Sequence, residues 1–415
     1  MERLTAQEIA TQWGVSLRYV QALCQKGRIE GIVKKGRDWM IPADALRPAD
    51  GRTRAGRRTG EEETDKNIIM PRKTAFLHMS DLYQMPGKAE ESIAALADHP
   101  GAQMLLEMEI AYSRGEIDRV YERAVVLMKN GIGFYSTLAS GMLLALCAIW
   151  RGDLTLWRQA KLFMAEAPAQ NDQERDIIAL SITAVDSMLY DVSSFHKWFR
   201  MGRFEILPKD ALSAVKVFYA KYLYATSYAV ATRQAEFEGL QGMALMSVMP
   251  YCLEPMISQI MAEKSIVAEI YLRMIMATVY SNLGNEQQAV FHADRAIALA
   301  MPDRLYGILA EYCRVIYNLV EQRLTRVDPV AWERVRELYK NYDEGWVRLN
   351  NMARGKHFVT TLTHREREVA KLAAFGLKNG EIAEKMHMSL SGVKQMIASV
   401  SNKTGLPRDA FATII

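Results

Sequence analysis

From about residue 70 to residue 350 the apolar side chains recur at i, i+3, i+4 and i+7, with few runs rich in Val, Ile and Thr. That spacing gives each segment one apolar face at the helical period and leaves little that could form strands. The centre of the chain is therefore predicted to be all-α. Three sites, Gly115-Glu116-Ile117, Gly152-Asp153-Leu154 and Gly284-Asn285-Glu286, each lie between two helical patterns, where small or aromatic residues can pack one helix against the next. A chain of helix pairs is the expected arrangement, with Ala277, Tyr280, Gly284, Ala289, Ala293, Ala296 and Pro302 marking its clearest unit.

Two interruptions bound this centre. Residues 47–66 carry Arg52, Arg54, Arg57 and Arg58 and then an acidic run, with almost nothing to bury, so a linker is expected over 49–69, reaching on the order of 25 Å as a flexible coil. The polar stretch from Asn350 to His357 precedes a new helix start at Thr363. The predicted organisation is thus a first domain over 1–48, the linker, an all-α domain over 70–350 and a last domain over 360–415.

Charge follows the same division. The formal charge of the whole chain is +4, but residues 1–60 hold 12 basic and 6 acidic side chains and residues 348–415 hold 11 and 5, which leaves the centre at −8. Two basic ends around an acidic middle suggest two polyanion-binding modules and a body that avoids polyanions. The four cysteines, Cys24, Cys147, Cys252 and Cys313, are scattered and have no CxxC or histidine at ligand spacing, which argues for a reducing compartment and against zinc. The amino-terminal residues have no signal-peptide apolar core, and the apolar run from Gly141 to Trp150 is too short to span a bilayer and reads as a buried helix. A cytoplasmic protein without membrane partners is expected.

At the carboxyl terminus, Thr363-His364-Arg365-Glu366 has the form of a capping box, so a helix should begin at Thr363 with Val369, Leu372 and Ala373 inward and Gly376 at its end. A short helix from Asn379 with Ile382, Ala383 and Met386 inward should follow, and then a basic third helix capped by Ser389 and packed through Val393, Ile397 and Val400. Leu362-Thr363, Arg365-Glu366, Glu368-Val369, Leu372, Gly376, Asn379, Glu381-Ile382-Ala383, Met388-Ser389, Val393-Lys394, Lys403 and Gly405 resemble the four-helix LuxR-type helix-turn-helix domain of bacterial transcription regulators. The resemblance implies that the third helix enters the DNA major groove, placing Ser391, Lys394, Gln395, Ala398 and Ser399 toward bases or backbone. Lys394 and Lys403 are the candidate phosphate contacts, and Gln395 could make the paired bonds that read adenine. Two positions depart from the family pattern, Gly392 where Thr is usual and Met396 where His is usual.

The amino-terminal segment reads as a second small module. Thr5-Ala6-Gln7-Glu8 is another capping box, followed by Ile9, Ala10 and Trp13 on one face and a turn at Gly14-Val15-Ser16. A second helix carries Val20, Leu23 and Cys24 inward and is expected to leave Arg18, Tyr19 and Gln21 outward, and the alternation from Ile32 to Pro42 predicts a β-hairpin with Trp39 plugging a small core. Leu4-Thr5, Glu8-Ile9-Ala10, Trp13-Gly14-Val15-Ser16, Arg18, Val20, Gly27-Arg28-Ile29, Gly36-Arg37, Trp39 and Ile41-Pro42 resemble the winged helix-turn-helix of phage excisionases and MerR-type regulators. That resemblance implies base reading by Arg18, Tyr19 and Gln21 and phosphate contact by Lys34, Lys35 and Arg37.

The unit around Gly284 is similar to a tetratricopeptide repeat, and Gly115 and Gly152 lie 37 residues apart, near that family's period of roughly 34. The methionines Met243, Met246, Met249, Met256 and Met261, and the aromatics from Phe195 to Tyr224, suit an adaptable binding surface and suit an ordinary helical core better. His196 and His292 have no sequence partners that mark a base or ligand and are read as structural. No GxxxxGK[ST] loop, GxSxG elbow or HExxH helix occurs, so neither an enzyme nor a bound cofactor is expected. The reading is mainly α: a DNA-binding transcription regulator of double-stranded DNA, controlled by a small-molecule or peptide effector or a protein partner of the helical domain, and a homodimer by resemblance. The alternatives are a DNA-architectural or recombination-directing protein and a helical protein-binding adaptor.

Overall fold

A computed structural model describes residues 3–13, 15–25, 29, 31–36, 38–43, 45, 68–71, 81–193, 195–235, 242–356, 358–359 and 361–414. The chain divides into two compact units, residues 1–64 and 65–415. Residues 49–67 of the expected linker lie outside the described residues, whereas Ile68 belongs to the second unit. Its amide donates to the carbonyl of Asn130 and its carbonyl accepts from Ile132, at 3.0 and 2.9 Å.

The first unit runs β1 (Arg3–Thr5), α1 (Ala6–Trp13), α2 (Leu17–Gln25), β2 (Val33–Lys35) and β3 (Asp38–Pro42). The expected hairpin is β2 and β3, but the sheet has a third strand, in the order β1-β3-β2, with Leu4 opposite Ile41 and Lys34 opposite Trp39. Three residues are too few to show an alternating pattern, so β1 was not legible in the sequence. Thr5 ends β1 and also caps α1: its amide donates to the Glu8 carboxylate at 2.8 Å and its hydroxyl accepts from the Glu8 amide at 3.3 Å. Ile9, Ala10, Val20, Leu23, Cys24 and Ile41 form the buried core, with half-buried Trp39 packed against it.

The second unit begins with α3 (Ala89–Ala94), α4 (Pro100–Arg114), α5 (Ile117–Asn130), α6 (Phe134–Arg151) and α7 (Leu154–Ala165). It continues with α8 (Asp172–Ser187), α9 (Lys197–Arg200), α10 (Leu212–Ala231), α11 (Ala244–Glu263), α12 (Ile266–Leu283) and α13 (Glu286–Ala300). The array ends with α14 (Tyr306–Val327) and α15 (Pro329–Arg354). Gly115, Gly152 and Gly284 each end a helix in the left-handed conformation, and Asp153 and Asn285 then cap α7 and α13 through their side chains. These are the three turns expected from the sequence.

From α9 on, as from α3 to α8, successive helices pack as neighbours, and the last pair returns to the start of the array, α14 against α4 and α15 against α6. The return needs glycine. A Cβ on Gly345 of α15 would overlap the carbonyl oxygens of Ile149 and Trp150 at the end of α6, and backbone cannot move aside cheaply. Gly345→Ala is therefore expected to lower the unfolding free energy by about 1–3 kcal/mol, measurable by urea denaturation. Helix α6 is long and apolar enough to cross a membrane, yet it lies buried in the array. Inside the closure, Glu311 accepts the hydroxyls of Tyr112 and Tyr271 at 2.7 and 2.8 Å, joining α14 to α4 and α12.

Met246 and Met249 are fully in the core, Met243 and Met256 border it, and Met261 is exposed. Phe195, Phe199, Tyr219 and Tyr222 pack ring on ring, so these four rings serve as packing. His292 is buried and stacked on Tyr280, with Nε2 3.4 Å from Glu254 Oε1 and no hydrogen bond on either nitrogen. Burial, then the charge of Arg273, push its pKa down to about 4. The unfolded ring takes up a proton near pH 6.5 and the folded ring only near 4, so stability of about 3 kcal/mol, complete above pH 6.5, is lost as pH falls toward 4. His292→Phe should keep the stack and flatten that part of the stability profile between pH 7 and 4.5.

After the array come α16 (His364–Ala374), α17 (Asn379–Lys385), α18 (Leu390–Thr404) and a 3-10 turn over Arg408–Thr413. This end has its own apolar core of Leu362, Val369, Leu372, Ile382, Val393, Val400 and Phe411. Where four α-helices were expected, the fourth is the 3-10 turn, which follows Pro407 and closes the core through Phe411. Although its core is separate, this part lies in the same compact unit as the array.

Candidate nucleic-acid interface

The carboxyl-terminal interface is built on α16. The capping box forms as the sequence predicts, with the Thr363 amide donating to Glu366 at 2.7 Å and the Glu366 amide to the Thr363 hydroxyl at 3.2 Å. Glu366 then does a second thing. Its other oxygen accepts Ser399 Oγ at 2.6 Å, and Lys403 Nζ lies 2.7 Å from the capping oxygen. Burial pushes this carboxyl up, but the bonds from Lys403, Ser399 and Thr363 outweigh it and bring the pKa down to about 2. One carboxylate thus caps α16 and clamps α18 to it.

The clamp involves two residues expected on DNA. Ser399 and Lys403 both bond Glu366, which positions α18, and the Lys403 side chain remains exposed. Ser391, Lys394, Gln395 and Ala398 remain exposed along α18. Lys394 and Gln395 make no hydrogen bond within the described residues, so a full charge and a complete amide are free to meet a ligand. Ser389 caps the helix by accepting from the Gly392 amide at 3.1 Å. A Cβ on Gly392 would meet that same Ser389 oxygen at 3.2 Å and the Met388 methyl at 3.3 Å, so the unusual glycine sits where space is short.

In the first unit, Arg18 and Gln21 are exposed on α2 and Lys34 and Lys35 on β2. Lys34 Nζ lies 5.4 Å from the centre of the Trp39 ring. Tyr19 differs from expectation: it is half-buried and packs against the apolar core, as a small domain with little to bury draws on such side chains. Arg37 lies outside the described residues. No group of His, Cys, Asp and Glu placed to hold a metal occurs among the described residues.

Residues absent from the sequence reading join α16 to the array. Asp343 of α15 forms ion pairs with Arg314 of α14 and, at 3.3 Å, with Arg367 of α16. Burial raises this carboxyl, yet Arg314 and Arg367 outweigh burial and hold it below its ordinary range. Arg314 also lies 3.8 Å over the Trp346 ring, His364 stacks on Tyr317 at 3.3 Å, and Tyr228 meets Phe375 edge to face at 5.4 Å. Arg367 and Lys371 stand four apart on the polar face of α16, which in sequence looks solvated and is in fact covered. The side chains making these contacts belong to α16 and its end, not to the exposed face of α18.

Residues 360–414 match the family described as bacterial regulatory proteins, luxR family. That family is one of non-enzymatic DNA-binding regulators, and the match supports a DNA-binding transcription regulator with its helix-turn-helix in α16 to α18. No curated protein and no solved structure matches the chain significantly.

Proposed function

We propose that this chain is a transcription regulator that reads its operator with α18, Lys394 contacting phosphate and Gln395 a base edge in the major groove. The observation that carries the reading is the exposed row Ser391, Lys394, Gln395 and Ala398 on a helix held rigid by Glu366. Held donors on a rigid helix are what sequence readout requires, since phosphate contacts position and base contacts specify.

The first unit is a second DNA reader in this account, a winged helix-turn-helix in which Arg18 and Gln21 on α2 meet base edges and Lys34 and Lys35 on the hairpin meet the backbone. The helical array is a tetratricopeptide-like sensor whose effector biases the arrangement of the readers, which requires that the effector bind two arrangements with unequal affinity. The protein acts in the cytoplasm, as a homodimer on paired half-sites.

Anisotropy titration of the full chain with duplex DNA at several salt concentrations tests the two-reader account. Each lost phosphate contact should reduce the salt slope by about one, so Arg18→Ala/Lys35→Ala should flatten the slope and weaken binding while leaving the fold intact. An unchanged slope would remove the first unit from the DNA interface. Strong bending concentrated at recombination sites would favour the architectural reading, and no duplex binding at low salt would favour the protein-binding adaptor.

A further inference from the structure

Between the helical array and the carboxyl-terminal helices lies a cavity of about 540 Å³. One wall comes from α10, α12 to α15 and the segment after α8, and the other from α16, the end of α17 and the 3-10 turn. Any molecule held there touches both the array and the DNA-reading domain. The volume falls within the roughly 300–1,000 Å³ of small-molecule sites and is too small for a folded partner.

The lining is cationic. Arg314, Arg354, Lys356, Arg367, Lys371 and Lys385 face Glu286 and Glu368 around it. Some of these charges are already matched: Arg314 and Arg367 share the single carboxylate of Asp343, Lys371 pairs with Glu368 at 2.8 Å, and Arg354 stands 3.6 Å from Asp191. Lys356 and Lys385 have no acidic partner among the described residues. Burial, then the charge of Lys371, push Lys385 below its ordinary value, and the charge of Glu368, already paired with Lys371, offsets this only in part.

The same cavity is aromatic. Tyr190, Tyr224 and Tyr228 line its array side, and the Tyr228 hydroxyl is buried without a hydrogen-bond partner. A buried, unpaired hydroxyl costs stability unless something completes it. Helix α14 leaves helical geometry at Ile316, with neither proline nor glycine there to cause it, and this break also borders the cavity. The break presents the Val315 carbonyl to Lys371 Nζ at 3.4 Å, so α14 is bent where the reader domain grips it.

We propose that this seam is a binding site for a small aromatic anion, one or two rings bearing a carboxylate, sulfonate or phosphate, with the rings against Tyr190, Tyr224 and Tyr228 and the charge toward Lys356 and Lys385. The bound anion supplies the counter-charge and an acceptor for the Tyr228 hydroxyl, and because both walls contribute, it ties the DNA reader to the array. The site stands on its own chemistry. Its regulatory consequence rests on the effector-controlled reading given above.

The test titrates the full chain with 8-anilinonaphthalene-1-sulfonate, followed by fluorescence, beside neutral N-phenyl-1-naphthylamine, which has the same rings without the charge. One saturable sulfonate site is expected, weakened about tenfold or more in Lys356→Gln/Lys385→Gln, while the weak binding of the neutral compound stays unchanged. Tyr228→Phe should weaken the sulfonate a few-fold and leave the circular dichroism spectrum as it was. Unsaturable binding, equal affinity for the neutral compound, or no effect of the double lysine variant would overturn the proposal. Duplex binding measured on the same samples separates the two readings: DNA bound without a sulfonate site rejects the cavity alone, and a sulfonate site without DNA binding rejects the regulator alone.

Discussion

Asp343→Ala should lower the unfolding free energy of the 65–415 unit by about 3–5 kcal/mol, because it leaves the buried guanidinium groups of Arg314 and Arg367 without their shared carboxylate. The charge is the cause, not the lost volume. Both arginine side chains are nearly out of solvent, so water cannot replace the missing partner. Asp343→Asn should recover only part of the loss, since it keeps acceptor geometry and removes the charge. Removing all three charges together, as Arg314→Met/Asp343→Leu/Arg367→Met, should be far less harmful than Asp343→Ala. Urea denaturation of the full chain reads all three, and an Asp343→Ala loss below about 0.5 kcal/mol would contradict the pairing as the joint between the array and α16.

The second large effect belongs to α18. Gln395→Ala should cost about 1–3 kcal/mol of discrimination at one base pair, relaxing specificity there, because an amide that bonds twice to adenine is lost outright. Lys394→Ala should instead weaken binding across sequences and reduce the salt slope by about one. The two substitutions therefore separate reading from holding. Neither should change thermal stability, since both side chains are exposed and unbonded within the described residues.

The sequence makes the helix periods, the two capping boxes and the three glycine turns plain, because each depends on residues within one turn of each other. Thr363 and Glu366, or Gly284 and Asn285, carry their own instructions. The exposed row on α18 was legible for the same reason. What escaped depends on residues far apart in the chain. Nothing local says that Gly345 must admit the carbonyls of α6, or that Arg367 and Lys371 are covered by α14 and α15, because a polar helix face reads alike in water and against a neighbouring domain. Ser399 and Lys403 were assigned to DNA for being polar on the right helix, and their bonds to Glu366, 33 and 37 residues away, were not legible there. The seam cavity was out of reach entirely, being assembled from the segment after α8, from α10 and from α12 to α17.

Genome-wide DNA occupancy of the intact chain beside Lys394→Ala/Gln395→Ala tests the central claim most directly. The account expects discrete promoter-proximal peaks for the unaltered protein and their loss in the double variant at equal protein abundance. Peaks that persist unchanged in the variant, or no discrete peaks for either protein, would contradict α18 as the operator reader.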